Sequence, residues 1–302
     1  MVICVGVDAG GSSTAAAVSR DGALAAEARG PAANPSVLGV DDAADAIVST
    51  IREALKGEHP DAIHAGVAGA GRARVAGELR ELIESAFPRA HVAVGDDAAI
   101  ALRAAIPDGD GAVLIAGTGS TALAQRGETT ARIGGLGFLA GDEGSAYWIG
   151  MQAVMLYGRV LDGRARRDET SDLAARALDA PDRERYLGAL YDAPLRPASI
   201  AALAPSVVAF AGKGNRASTK IVQQAAQELG ELVKAALRAT DLLQASPRVA
   251  LAGGLLRENS LLTFLLETRL QGDVPGIAIV KGGDEPVAGA LRLAERAAHA
   301  LR

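Results

Sequence analysis

Two related α/β lobes are what this chain of 302 residues predicts, on three observations. A β-branched apolar run closed by a turn of glycine and hydroxyl residues occurs near the start and again after residue 107. A strand–helix–strand pattern follows the first of these runs, and the stretch 142–245 reads as largely helical. With 49% hydrophobic residues, 22% charged and 36 glycines, the chain can bury a sizeable core built from small side chains.

The elements follow in order. Residues 2–7 form a continuous apolar run ended by Asp8, Ala9, Gly10 and Gly11, the pattern of a buried strand entering a tight turn. An apolar stretch resumes at 15–18 and Asp21-Gly22 offers a hairpin turn, so the chain opens as a β-meander. Ala44, Ile47, Ile51 and Leu55 recur at helical spacing behind Asp41 and Asp42, which are placed to cap the first turn. Ile63, Ala65 and Val67 alternate as a strand, Val75, Leu79, Leu82 and Ile83 mark a helix, and 91–94 is a further strand, together a parallel βαβ crossover. Past Pro107-Asp108-Gly109, residues 111–116 are apolar again, Gly117, Thr118, Gly119 and Ser120 form a turn, and 121–125 a strand. Setting Thr121 on Thr14 aligns 8–15 with 115–122 as a weak internal repeat. It predicts one lobe over 1–107, joined by a last helix at 286–302, and another over 108–285, their Gly-rich hairpins facing one another. Ser218 is the expected cap of a helix that lines up Ile221, Ala225, Leu229, Leu232 and Ala236, and strands are expected at 248–252 and 277–280.

Composition narrows the function. A net charge of −5, with four Tyr, four Phe and one Trp, supplies neither the positive field nor the stacking surfaces of a nucleic-acid or anionic-membrane binder. The lone Cys4 cannot form an internal disulfide or a cysteine-based metal or iron–sulfur site, and the four histidines show no ligand spacing. No apolar run reaches the roughly 20 residues of a membrane helix, and no basic-then-apolar leader is seen. A cytoplasmic location is the expectation.

Three turns carry the candidate chemistry. Gly10, Gly11, Ser12, Ser13 and Thr14 follow the first strand, Gly117 to Ser120 the second apolar run, and Gly253 and Gly254 the strand at 248–252. Glycines let backbone N–H groups approach an anion, and hydroxyls add donors without charge, which suits the phosphates of a nucleotide. Each turn taken singly reads as a plain hairpin, and it is the joint placement of two in matching positions of the repeat that favours the functional reading. A GxxxxGK[ST] loop is absent, and Gly135, Gly137 and Gly141 have the wrong spacing for a dinucleotide fingerprint. Asp8, at the end of a strand beside the first turn, suits either a Mg²⁺ ion held through water or an Asx-turn. In the Asp96-Asp97 pair one residue can cap the helix that follows while the other faces a ligand as general base. Residues 141–148, Gly-Asp-Glu-Gly-Ser-Ala-Tyr-Trp, read locally as a helix start with Asp142 as cap and Tyr147 and Trp148 as core. The mixed-sign run 164–169 reads as a solvated connection.

Taken together, VGVDAGGSST, AGTGS, GGLGFLAGDEGSAYWIG, the strand and turn at 249–254 and the closing GDEPVAGALRLA resemble the N-acetylglucosamine kinase branch of the BadF/BadG/BcrA/BcrD-type ATPases. These belong to the superfamily of actin, sugar kinases and heat-shock chaperones. The resemblance spans nearly the whole chain. It implies a two-lobed actin-like ATPase of duplicated ribonuclease H-like domains, with a nucleotide cleft between lobes. It implies ATP and Mg²⁺ as cofactors and phosphorylation of the 6-hydroxyl of an amino sugar, N-acetylglucosamine foremost, with glucosamine as the alternative. Asp97 then stands at the catalytic aspartate, Asn34 and Asp142 at sugar contacts, Gly117, Thr118, Gly119 and Ser120 at the phosphates, and Gly253 and Gly254 at the adenosine. Relatives carry Trp in a GGWG string where this chain has Leu136, which implies a different wall for the sugar pocket. A homodimer formed through the helical region fits the same picture. A radical-dehydratase activator would carry cluster cysteines, and a repressor-and-kinase family member a zinc motif; neither is present. A nucleotide-switched ATPase without kinase activity would keep the turns but need no base at Asp97.

Overall fold

The computed structural model describes residues 1–192, 196–256 and 258–301. Residues 193–195, inside the stretch expected to be helical, and Arg302, at the end of the expected last helix, lie outside the described residues. The chain divides into two units, Met1–Gly109 with Val280–Arg302, and Asp110–Ile279.

In the first unit β1 (Ile3–Ala9), β2 (Thr14–Arg20) and β3 (Ala23–Gly30) make the expected meander. A one-turn helix α1 (Pro35–Leu38) and the amphipathic α2 (Val40–Leu55) lead to β4 (Ala62–Val67), α3 (Ala73–Ala86), β5 (His91–Gly95) and α4 (Asp97–Ala105). β4 runs parallel to β1 and β5 parallel to β4, giving the order β3-β2-β1-β4-β5. Asp41 and Asp42 do not cap α2. Gly39 is its N-cap and makes no side-chain bond, while the two aspartates lie in the first turn, where their charge favours the helix dipole. β1 is covered on both faces, which is why it reads as an unbroken apolar run rather than an alternating one.

The second unit repeats the plan. β6 (Gly111–Ala116), β7 (Ser120–Arg126) and β8 (Thr129–Gly134) form a second meander. Among the described residues six helices come next: α5 (Ala146–Leu161), α6 (Glu169–Ala177), α7 (Arg183–Tyr191), α8 (Pro197–Ala201), α9 (Ala204–Gly212) and α10 (Arg216–Ala239). Then β9 (Arg248–Ala252), parallel to β6, α11 (Leu261–Asp273) and β10 (Ala278–Val280) complete the order β10-β9-β6-β7-β8. Strand for strand this is the order of the first sheet. The register corrects the alignment by one residue after the turn: Ala9 pairs with Thr14 and Ala116 with Ser120, so Thr14 corresponds to Ser120 and not Thr121. The second turn is one residue shorter. Ser218 does not cap α10. Asn215 does, accepting from the Ser218 N–H at 3.0 Å, while the Ser218 hydroxyl is buried against Thr170 Oγ1 at 2.6 Å.

The final helix α12 (Pro286–Ala300) returns to the first unit and packs on β1, β4 and α4. Val287, Leu291, Ala294 and Ala298 close a small core with Cys4, Ala17 and Ala62. The approach is close enough that a Cβ on Gly6 would fall 2.1 Å from the Leu291 nitrogen, and one on Gly289 2.0 Å from the Ile100 carbonyl oxygen. Small residues at these crossings are a condition of the packing. On the opposite face of that sheet α2 and α3 cover it with Ile47, Ile51, Leu79 and Ile83.

Candidate active site

The first unit gathers Asp8, Asn34, Asp96 and Asp97 around the carboxyl ends of its parallel strands. Asp8 pairs with Gly66 of β4 and Ala15 of β2 at the end of β1. Asp96 is the N-cap of α4 and accepts from the Ala99 N–H at 3.0 Å; Asp97 is the first residue of the helix. The local alternatives for the pair are thereby resolved, with capping falling to Asp96. Burial, and then the neighbouring charges of Asp97 and Glu285, push the Asp8 carboxyl up to about 6, with Arg29 pulling the other way. Arg29 in turn pairs with Glu285 at 2.9 Å.

Gly10 closes the first turn by donating to the Ser13 carbonyl at 2.9 Å, and the Gly10 carbonyl accepts from the Ala33 N–H at 3.1 Å. Gly11, Ser12 and Ser13 are exposed at its tip, while the Thr14 hydroxyl is buried and donates to the Pro31 carbonyl at 2.7 Å. Asn34 caps α1, its side-chain oxygen accepting from the Ser36 N–H at 2.9 Å and lying 2.6 Å from where Gly69 would carry a Cβ. Its amide nitrogen lies toward Gly11.

In the second unit the turn at Gly117–Ser120 is fastened to the start of α5. The Gly117 and Thr118 carbonyls accept from the Ala146 and Tyr147 N–H groups at 2.9 and 3.2 Å, and the Ser120 hydroxyl donates to the Glu143 carbonyl at 2.8 Å. Ser145, not Asp142, caps α5, accepting from the Trp148 N–H at 3.2 Å. Asp142 is buried with a left-handed backbone, φ +58°, and its carboxylate accepts from the Ser120 N–H at 3.3 Å. Burial raises its carboxyl above the ordinary range, the Ser120 bond opposing. Among the described residues the Thr118 and Gly119 N–H groups meet no protein acceptor, so they are available to an anion. Tyr147 is buried as expected, edge-on to Phe138 at 5.3 Å; Trp148 is half-buried, and Leu136 is 75% exposed.

Gly253 has φ +97°, and a Cβ there would lie 2.3 Å from the Ala116 carbonyl oxygen, which accepts from the Leu255 N–H. Gly254 borders a cavity of about 300 Å³ walled by Val208 and Ala209 of α9, Leu255, Asn259, and Ser260 and Leu261 at the start of α11. Apolar walls with two polar side chains suit a nucleobase. Nothing in the sequence marks this wall, because α9 and α11 carry no motif. The one sequence signal for Glu285 is its place in the Gly-Asp-Glu-Pro string opening α12.

The paired sheets and the helical layer define an actin-like α/β fold of the sugar-kinase type. The model of the BadF/BadG/BcrA/BcrD ATPase family matches residues 5–294, so the chain belongs to that family. The chain is 29% identical, over 78% of its own length and 78% of the relative's, to the N-acetylmuramic acid/N-acetylglucosamine kinase of Clostridium acetobutylicum. It is 32% identical, over 53% of its own length and 55% of the relative's, to a glucosamine kinase of Vibrio cholerae. A solved structure from Chromobacterium violaceum, provisionally named an N-acetylglucosamine kinase, superposes with a TM-score of 0.75 at 28% identity, covering 97% of this chain and 99% of that one.

Proposed function

We propose that the protein transfers the γ-phosphoryl group of ATP to the 6-hydroxyl of an amino sugar, N-acetylglucosamine before others. The observation that carries this reading is the division between neighbouring aspartates: Asp96 is spent on capping α4, while Asp97 begins the helix close enough to Asp8 for their charges to repel. Asp97 accepts the sugar hydroxyl's proton as its oxygen attacks phosphorus, a contribution of about 10²- to 10⁴-fold. Asn34 and Asp142 contact the sugar. The turns at 10–14 and 117–120 present N–H groups and hydroxyls to the phosphates, and Gly253 and Gly254 admit the adenosine beside the 300 Å³ cavity. Positioning and charge neutralisation then supply most of the lowering of the barrier. Names of amino-sugar kinases among the relatives support the substrate class.

Among the described residues no group of three or more His, Cys, Asp and Glu is placed to hold a metal unaided. Asp8, at the end of β1 beside the first turn, is the residue that would meet, through water, a Mg²⁺ ion arriving on the nucleotide. When bound, that ion neutralises charge on the transferring phosphate. An ATP-consuming enzyme of this kind works in the cytoplasm, and among the described residues no helix is long and apolar enough to cross a membrane.

Glucosamine is the second reading, favoured by the exposed Leu136 where the resemblance implies Trp. Coupled ADP release with N-acetylglucosamine, glucosamine, glucose and 6-deoxy-N-acetylglucosamine decides the question. The expected result is turnover with an amino sugar, far less with glucose because a site that hydrogen-bonds the 2-substituent leaves polar groups unpaired without it, and none with the 6-deoxy sugar. Equal rates with glucose would make the protein a general hexokinase, and ADP release indifferent to every sugar would make it a nucleotide-switched ATPase.

A further inference from the structure

We propose that Asp142 is a positioning residue for the turn at 117–120: its carboxylate, bonded to the Ser120 N–H, holds the neighbouring Thr118 and Gly119 N–H groups in the arrangement that takes phosphate. The proposal deepens the kinase reading and rests on it for its nucleotide readout, since that reading gives Asp142 only a sugar contact.

Four observations converge. Asp142 is 8% exposed, and its carboxylate accepts from the N–H of Ser120 at the end of the turn. It lies directly against Gly119, where a Cβ would fall 2.8 and 2.9 Å from its two oxygens. The chain accepts a left-handed backbone at Asp142, φ +58°, to deliver it there, a conformation that costs a non-glycine residue stability and persists only where surroundings compensate. Finally, the turn's other exits are fixed to the same segment, through Ala146, Tyr147 and the Glu143 carbonyl. Two of those bonds hold carbonyls of the turn and the third holds the Ser120 side chain; the Asp142 carboxylate is the acceptor that holds the Ser120 N–H. Losing that anchor should weaken an anion bound by the turn roughly tenfold or more.

Two measurements on ligand-free and ADP-titrated protein, without sugar, test this. Asp142→Gly relieves the backbone strain and removes the carboxylate. It should speed hydrogen exchange at the Ser120 amide and weaken Mg-ADP binding by about tenfold or more. Asp142→Asn keeps an oxygen acceptor and tolerates the left-handed backbone, so it should bind Mg-ADP within about threefold of wild type. Gly119→Ala displaces the carboxylate from the other side and should reproduce the Gly variant even if the latter folds poorly. Wild-type exchange and affinity in Asp142→Gly, or an Asn variant as weak as the Gly one, overturns the proposal. A wild-type protein that fails to bind Mg-ADP sinks the kinase reading instead, while the Ser120 exchange comparison still decides the anchor.

Discussion

Burial moves two titratable groups of the first unit, Asp8 and His64, in opposite directions. With its carboxyl raised to about 6 by burial and by Asp97 and Glu285, Asp8 binds its proton more tightly folded than unfolded. Its contribution therefore favours folding at low pH and declines as pH rises from about 4 to 6. His64 works in the opposite sense. Burial, with the charge of His91, depresses it to about 4, and its Nε2 has no protein partner among the described residues. The unfolded chain takes up the His64 proton first, so stability climbs with pH between about 4 and 6.5. Asp8→Asn should raise the melting temperature of the ligand-free protein at pH 7.5 by a few degrees. It should also leave a profile that rises through that window; thermal melts across pH 4–8 check this, and an unchanged profile contradicts it. The same substitution should weaken Mg-ATP binding, the expected cost of a strained ligand site. At this scale the sequence showed the acids but not their partition. Asp96 is the cap because its side chain reaches Ala99, three residues on. The Asp142 bond to Ser120 spans 22 residues, so no local pattern could show it.

Among the elements, α12 packs with no room for added atoms at its crossings. Gly6→Ala or Gly289→Ala drives a methyl group into backbone at about 2 Å, and flexible side chains cannot absorb that overlap. Each should destabilise the protein by several kcal/mol, at the upper end of single substitutions, as read by denaturant midpoints. Gly77→Ala, where an added Cβ meets nothing within 4 Å on the mid-face of α3, should instead stabilise by up to about 1 kcal/mol. Elements with one apolar face, such as α2 and α10, were legible from spacing alone. α11 was not. Leu262, Leu266 and Leu270 are buried, but Phe264 is 65% exposed and further leucines lie around the circumference, so the apolar contrast that marks a helix is blurred. β8 was missed as well, because an edge strand of threonines and glycine takes its order from pairing with β7.

At the scale of the whole molecule, the duplication was legible because both sheets begin with the same apolar run and turn. Its one-residue discrepancy was not, since a gap inside a four-residue turn leaves no trace in periodicity. The second unit is one continuous segment with its own large core, whereas the first needs both chain ends to cover β1. Residues 110–279 expressed alone should therefore melt cooperatively, and residues 1–109 without 280–302 should not, as circular dichroism would show. Cooperative folding of 1–109 alone would mean that α12 is dispensable. The central claim, that Asp97 takes the proton from an amino-sugar hydroxyl during phosphoryl transfer, is tested most directly by sugar-dependent ADP formation in Asp97→Asn at saturating ATP, with Mg-ATP affinity measured on the same sample. The account predicts a fall of about 10²-fold or more in turnover with nucleotide affinity kept; turnover near the wild-type rate would contradict it.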